Sequence, residues 1–282
     1  APYNSMYGPE DIPPVNRDIS ELENPNAVYN AFVNREESKE FMRDEVREKV
    51  VPVYMGLIQQ LDDHLGRLFD KLEELGRMDD TLIVFTSDHG DYLGDHWLGD
   101  KELFHDPSVR VSTIVYDPRP EADLTRGTRN EYLVESIDLI PTFLSALQFP
   151  EEQEALEGRS LIPLLHGEKT QWRELVFSEL DYAFHADVRS DLGRSVNQCR
   201  GYMAFDGRWK YVFWEGLDPM LFDLESDPQE LIDLGKSSAY MDIRAQMHEH
   251  LFHWLRNLKD RITVDNKFVE DWRETNIKIG QW

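Results

Sequence analysis

The segment "LIVFTSDHGDYLGDH", residues 82 to 96, constrains the fold of this chain more than any other stretch. Leu82 to Phe85 form an apolar run with the length of a short, fully buried strand, and Gly90 and Gly94 permit sharp turns where that run stops. Asp88 and His89 are therefore expected just past the carboxyl end of a strand.

The flanking sequence sets the context of that strand. Val53, Leu57, Ile58, Leu61, Leu65, Leu68, Leu72 and Leu75 fall at helical spacing, with Pro52 near the start and Gly76 as a stop. This predicts a long amphipathic helix with its apolar stripe on the core, a metal or partner face being the alternative. The strand at 81–86, a loop, a second apolar run "VRVSTIVY" at 109–116 and a helix around Ser136 to Leu147 follow. That alternation predicts an α/β sheet flanked by helices, in which ligands gather beyond the carboxyl ends of strands. The first thirty residues, rich in proline and glycine without clear periodicity, read as an irregular surface segment.

Beyond residue 170 the signals change. In "CRGYMAFDGRWKYVFW" an Asp206-Gly207 turn separates two aromatic-rich runs, a strong hairpin signal. A helix from about Ser238 to Arg261 follows, so a small antiparallel sheet packed on a helix is expected. The boundaries expected from these patterns are 1–170 for an α/β catalytic portion, 171–262 for the smaller sheet and helix, and 263–282 for a tail. The tail has the look of an arm that embraces a neighbouring subunit or folds back on its own body.

Composition narrows the partners. Fifty-five acidic against thirty basic residues give a formal net charge of −25, and no basic stripe interrupts it. Such a field repels phosphate backbones and anionic membranes, so neither nucleic acid nor membrane is an expected partner. The single cysteine, Cys199, excludes an intramolecular disulfide framework and a cysteine-cluster zinc site. No run approaches the roughly 20 apolar residues of a membrane span, and a cytoplasmic location is the expectation.

Asp88 and His89 place a carboxylate oxygen beside an imidazole nitrogen, both good ligands for a divalent cation. Neighbours in a straight strand point to opposite faces, so joint ligation requires a bend, which Gly90 allows. The alternative is that Asp88 caps a turn and His89 is a solvated loop residue. Lys101, past Gly99, could set an ammonium against an anionic group in transfer, or be a surface charge. His96 and His105 could be supporting donors or leaving-group contacts, or structural residues. His248, His250 and His253 cannot share an ion, because His248 and His250 point about 200° apart on a helix. Cys199 reads as a buried or interstrand thiol.

These residues carry a resemblance. "TLIVFTSDHGDYLGDH" followed by Lys101 resembles the second metal-binding segment of the sulfatases and phosphonate monoester hydrolases of the alkaline phosphatase superfamily. "EGRSLIPLL" (157–165), "VFSE" (176–179), "GRWKYVFW" (207–214) and "MLFDLESDPQELIDL" (220–234) look like landmarks of that family's carboxyl-terminal half, in its order. "APYNSMYGPEDIPP" and "IKIGQW" look more like the phosphonate monoester hydrolase branch. The resemblance implies an alkaline-phosphatase-like sheet flanked by helices, Asp88 and His89 as metal ligands, and Lys101 on the anionic group of a small ester substrate.

It also implies what this sequence lacks. The family's formylglycine nucleophile arises from a Cys/Ser-x-Pro-x-Arg motif, which is absent here; Cys199 is followed by Arg-Gly-Tyr. The expected partner is therefore a missing amino-terminal segment of the same protein, carrying the nucleophile and the remaining metal ligands, and this chain alone is expected to be inactive. His89, where a typical sulfatase has Asn and uses calcium, tilts the ion toward manganese, with calcium the alternative. The implied reaction is hydrolysis of phosphonate monoesters, phosphodiesters or sulfate esters. Arylsulfatase or choline-sulfatase-like specificity is one alternative, and a non-catalytic binding or assembly domain is another.

Overall fold

The computed structural model describes residues 2–149 and 156–258. In chain order its helices are α1 (Ala27–Val33), α2 (Glu36–Phe41), α3 (Asp44–Glu74), α4 (Asp106–Val109), α5 (Leu139–Ala146), α6 (Ile162–Leu165), α7 (Ala186–Leu192) and α8 (Met241–Arg256). Its strands are β1 (Ile83–Thr86), β2 (Thr113–Tyr116), β3 (Val176–Asp181), β4 (Arg200–Phe205), β5 (Trp209–Trp214) and β6 (Met220–Asp223). No described helix is long and apolar enough to cross a membrane.

The chain divides into two compact units, the first formed by Ala1–Pro118 with Glu174–Leu251, the second by Arg119–Arg173 with the described residues from Phe252 on. This division departs from the boundary read at residue 170. The reason is one shared core: Val28 and Phe32 of α1, Tyr92 and Phe104 of the β1–β2 connection, and Tyr182, Met203 and Trp214 of the second half form a single buried cluster. The tail expected at 263–282 lies outside the described residues.

In the first unit β1 and β2 pair antiparallel, from Ile83 opposite Tyr116 to Thr86 opposite Thr113. The other sheet has the order β3-β4-β5-β6, every neighbour antiparallel. The predicted Asp-Gly turn joins β4 to β5: Gly207 takes φ 96°, and Asp206 Oδ1 accepts from the amides of Arg208 and Trp209. Alternation along β5 sends Lys210, Val212 and Trp214 to one face and Trp209, Tyr211 and Phe213 to the other. The first face meets the β1–β2 connection through the Phe104–Trp214 ring contact and Tyr182 through the Tyr182–Trp214 contact, and Tyr182 packs in turn on Phe32 of α1. The second meets α8 and the turn before it, through Tyr211 and Phe213 on His248 and Trp209 on Tyr240. Cys199 is fully buried, its Sγ donating to Ser195 O, as its sequence setting suggested.

Helix α3 corrects two expectations. It starts at Asp44, well ahead of Pro52, which is buried within it. It ends as predicted, with Gly76 at φ 65° and Arg77 N–H donating to Leu72 O. The apolar stripe does not face a core: Val53, Leu57, Ile58, Leu61, Leu68 and Leu75 are between 43% and 59% exposed. The buried positions are instead Arg47, Val51, Pro52 and Gly56, and a Cβ on Gly56 would lie 2.0 Å from the carbonyl oxygen of Tyr3. Close backbone approach, which only glycine allows, thus selects the packed side.

In the second unit Asp138 is fully buried and takes a bidentate pair from Arg173. It also accepts from the amide of Arg159, while Thr142 Oγ1 accepts from the amide of Leu161. The "EGRSLIPLL" landmark is therefore pinned at both ends of one short turn to the start of α5.

Gly201 lies opposite Trp214, and a Cβ there would come within 2.1 Å of the indole ring. Gly201→Ala should destabilise the first unit by about 1–3 kcal/mol through overpacking. The check is a lowered urea midpoint at unchanged m-value, against Gly66→Ala in the exposed middle of α3, where a Cβ meets nothing within 4 Å and helix propensity should raise the midpoint instead.

Candidate functional site

Strand β1 ends at Thr86, and the chain turns at once: Ser87 Oγ donates to His89 O at 2.6 Å. The amide of Gly90 then donates to Ser108 O at 2.7 Å, and a Cβ on Gly90 would lie 1.9 Å from the carbonyl oxygen of Pro107. Gly90 is therefore where the two ends of the β1–β2 connection meet, closer than any side chain permits.

The bend brings the first two predicted ligands together. Asp88 Oδ1 accepts from the amide of His89 at 3.0 Å, which directs Oδ2 toward the imidazole, 3.5 Å from Nε2. His89 Nδ1 lies 2.7 Å from Gly90 O and donates to it, fixing the tautomer that leaves the Nε2 lone pair available. Two atoms sharing an ion at about 2.0–2.4 Å stand about 3.0–3.5 Å apart at ordinary coordination angles, which this pair matches. The amide of His89 holds the Asp88 carboxyl below the usual carboxylate range, keeping it anionic. The Asp88 side chain is 84% exposed and that of His89 40%, so the donor atoms face solvent. Among the described residues no group of three or more His, Cys, Asp or Glu is arranged to hold a metal ion.

Lys101 is half-exposed, its Nζ 3.9 Å from Asp100 Oδ1, and its carbonyl oxygen accepts from Ser108 Oγ. Asp91, which sequence reasoning does not single out, is half-buried beside them, its Oδ1 accepting from the amide of Leu93. Burial pushes its carboxyl up, Asp100 adds to that, and His89 and Lys101 both pull it down. One carboxylate thus feels the imidazole and the ammonium together. The only sequence signal for Asp91 was its place one residue past the Gly90 bend.

His96 and His105 are placed differently from an exposed substrate contact: they are 0% and 4% exposed. Their rings stack at 4.2 Å. His96 Nδ1 lies 2.7 Å from Glu21 Oε1, and Tyr29 donates to His96 O. Tyr92 Oη lies 2.9 Å from His105 Nδ1 and accepts from the His105 amide. Both histidines hold the connection in the core.

Strain is concentrated here. Of the non-glycine residues with positive φ among those described, Leu93, His96, Trp97 and Asp100 all belong to this connection. Each such backbone costs on the order of 1–3 kcal/mol and persists only where its surroundings over-determine it, as at ligand and reaction sites.

Comparison with known proteins identifies the family of the chain. Two family models match, "Sulfatase" over residues 20–149 and "N-sulphoglucosamine sulphohydrolase, C-terminal" over residues 94–257. A multifunctional alkaline phosphatase superfamily protein, PehA of Trinickia caryophylli, is 34% identical over 93% of this chain and 53% of its own. An arylsulfatase of Clostridium perfringens is 26% identical over 98% of this chain and 54% of its own. The structure of a phosphonate monoester hydrolase from Silicibacter pomeroyi matches at TM-score 0.83 and 29% identity, over 93% of this chain and 54% of that one. The fold is thus alkaline-phosphatase-like, as the resemblance implied. The chain belongs to the sulfatase family of that superfamily, a family of hydrolases that includes the phosphonate monoester hydrolases among its neighbours. It spans about half the length of the relatives it matches.

Burial holds the His105 imidazole well below its ordinary range, with His96 and Lys210 acting in the same direction. Below about pH 6.5 the unfolded chain protonates this residue while the fold does not. Its contribution to stability is therefore full above about pH 6.5 and falls by about 1.4 kcal/mol per unit as the pH drops toward the folded value. Urea melts from pH 7.5 to 5 should show that slope, reduced by about one proton in His105→Gln.

Proposed function

We propose that the protein carrying this chain hydrolyses small anionic esters, phosphonate monoesters or phosphodiesters first and sulfate esters second, at a site built on Asp88, His89 and Lys101. The observation that carries the reading is the 3.5 Å approach of Asp88 Oδ2 to His89 Nε2, with His89 Nδ1 committed to Gly90 O. One oxygen and one imidazole suit a manganese ion, and calcium fits the oxygen alone better. Such an ion, when bound, would supply positive charge to the oxygens of the ester. Asp88 and His89 would hold it, and Lys101 would steady the charge that builds on the ester oxygens as the leaving group departs.

The nucleophile belongs to a segment outside this sequence, as does the rest of the metal shell, and the chain by itself is inactive in this reading. Two features support such a partner: the exposed apolar stripe of α3, and the two-stranded β1–β2 pair, which is marginal without further strands. The phosphonate preference follows the likeness to the Silicibacter pomeroyi structure. The similarity to an arylsulfatase over nearly the whole chain supports sulfate esters as the second substrate class.

Full-length protein assayed with manganese on aryl phosphonate and aryl sulfate esters tests this. Asp88→Ala and Lys101→Ala should each lower kcat by about 10²–10³. Wild-type rates in either variant would remove the roles assigned here, and a higher kcat/KM on sulfate would reverse the order of substrates. An absence of turnover on both ester classes by protein that binds the ion would favour a binding module.

A further inference from the structure

Two landmark segments, "GRWKYVFW" and "MLFDLESDPQELIDL", give no residue to the donor site, yet Lys210 of the first and Glu230 of the second are charged and buried. Lys210 on β5 has a side chain only 2% exposed. Its Nζ donates to Asp106 Oδ1 at 2.6 Å and lies 2.6 Å from Glu230 Oε1. Glu230 Oε2 in turn accepts from the amide of Asp106 at 2.6 Å. Glu230 is 1% exposed and has φ 57°, a left-handed backbone that a non-glycine residue seldom adopts. The turn holding it there is well determined: its amide donates to Asp227 O, Asp227 Oδ2 accepts from Ile232, and Asp233 Oδ1 accepts from Leu221 and Gly235.

Asp106 opens α4, and α4 carries Ser108. The Ser108 carbonyl takes the amide of Gly90, and its hydroxyl donates to Lys101 O. A continuous set of contacts therefore runs from Lys210 and Glu230, through Asp106 and Ser108, to the residue after His89 and to the backbone of Lys101. A buried group of one cation and two carboxylates is a poor source of stability compared with apolar packing. Two directional contacts from the core, one on its carboxylate and one on its amide, do, however, fix where Asp106 sits.

We propose that Lys210 and Glu230 are positioning residues: they lock Asp106, and through α4 they set the distance between the Asp88–His89 pair and Lys101. The inference rests on the reading of that trio as the reacting site.

Glu230→Gln is the informative variant. A carboxamide has one acceptor oxygen, so it cannot serve both the Asp106 amide and Lys210, while the remaining Lys210–Asp106 pair stays balanced in charge. Hydrogen–deuterium exchange of the full-length protein reads the clamp, with the amides of β4 and β5 as internal reference. In the variant, amides within residues 101–110 should exchange about tenfold faster with the reference unchanged. For ester turnover, kcat should fall about tenfold with KM within about twofold, because only alignment is lost. The double variant Lys210→Met/Glu230→Met, which removes one charge of each sign, carries the same expectation should the single variant not fold. Wild-type exchange over 101–110, an equal rise across β4 and β5, or an unchanged kcat would overturn the proposal. Selective loosening of 101–110 in a protein whose wild type turns over no ester would leave the clamp standing and sink the hydrolase reading instead.

Discussion

The structure turns on one constraint: the connection from β1 to β2 passes through the core. Tyr92, Leu98, Leu103 and Phe104 on it are all buried. A buried segment without regular structure must find a partner for each backbone polar group, or lose more than the burial gains. Here the segment largely satisfies itself. The amides of Tyr92, Gly94 and Gly90 donate to the carbonyls of Asp100, Leu98 and Ser108. Arg47 from α3 and Tyr29 from α1 take the carbonyls of Leu93 and His96. The connection is thus a rigid object, and the donor atoms at its outer edge inherit that rigidity.

Rigidity has a local cost and a local purpose. Four left-handed non-glycine residues lie in this connection, and the burial of its aromatic side chains offsets them. The result is a carboxylate and an imidazole nitrogen held side by side in solvent, with their other atoms already committed to backbone groups. A site that needs no rearrangement to accept a cation loses little free energy when the cation arrives. Asp91 and Asp100 add negative charge around Lys101.

Much of this was legible in the residues. The Asp206-Gly207 hairpin, the Gly76 stop and the end of β1 just ahead of Asp88 follow from local chemistry, so local reasoning found them. Period-two reasoning also puts Lys210 on the same face as Val212 and Trp214, but nothing local says that a lysine there is buried. Its partners, Asp106 and Glu230, come from far along the chain. For His96 and His105 the residues alone leave a structural role beside a supporting one, because the surroundings that bury them, Glu21, Tyr29 and Tyr92, are tertiary. The α3 stripe is legible as apolar but not what covers it, because periodicity gives the direction of a face and not the identity of what meets it. The boundary expected at residue 170 and the division into compact units differ because a change of local pattern need not coincide with a change of core.

The central claim is that the oxygen of Asp88 and the imidazole of His89 hold one ion between them. Anomalous diffraction at the manganese edge, on crystals of the full-length protein grown with that ion, tests it most directly. The account predicts one peak within about 2.0–2.4 Å of both Asp88 Oδ2 and His89 Nε2. A peak bound elsewhere, or one reached by only one of the two side chains, would contradict it.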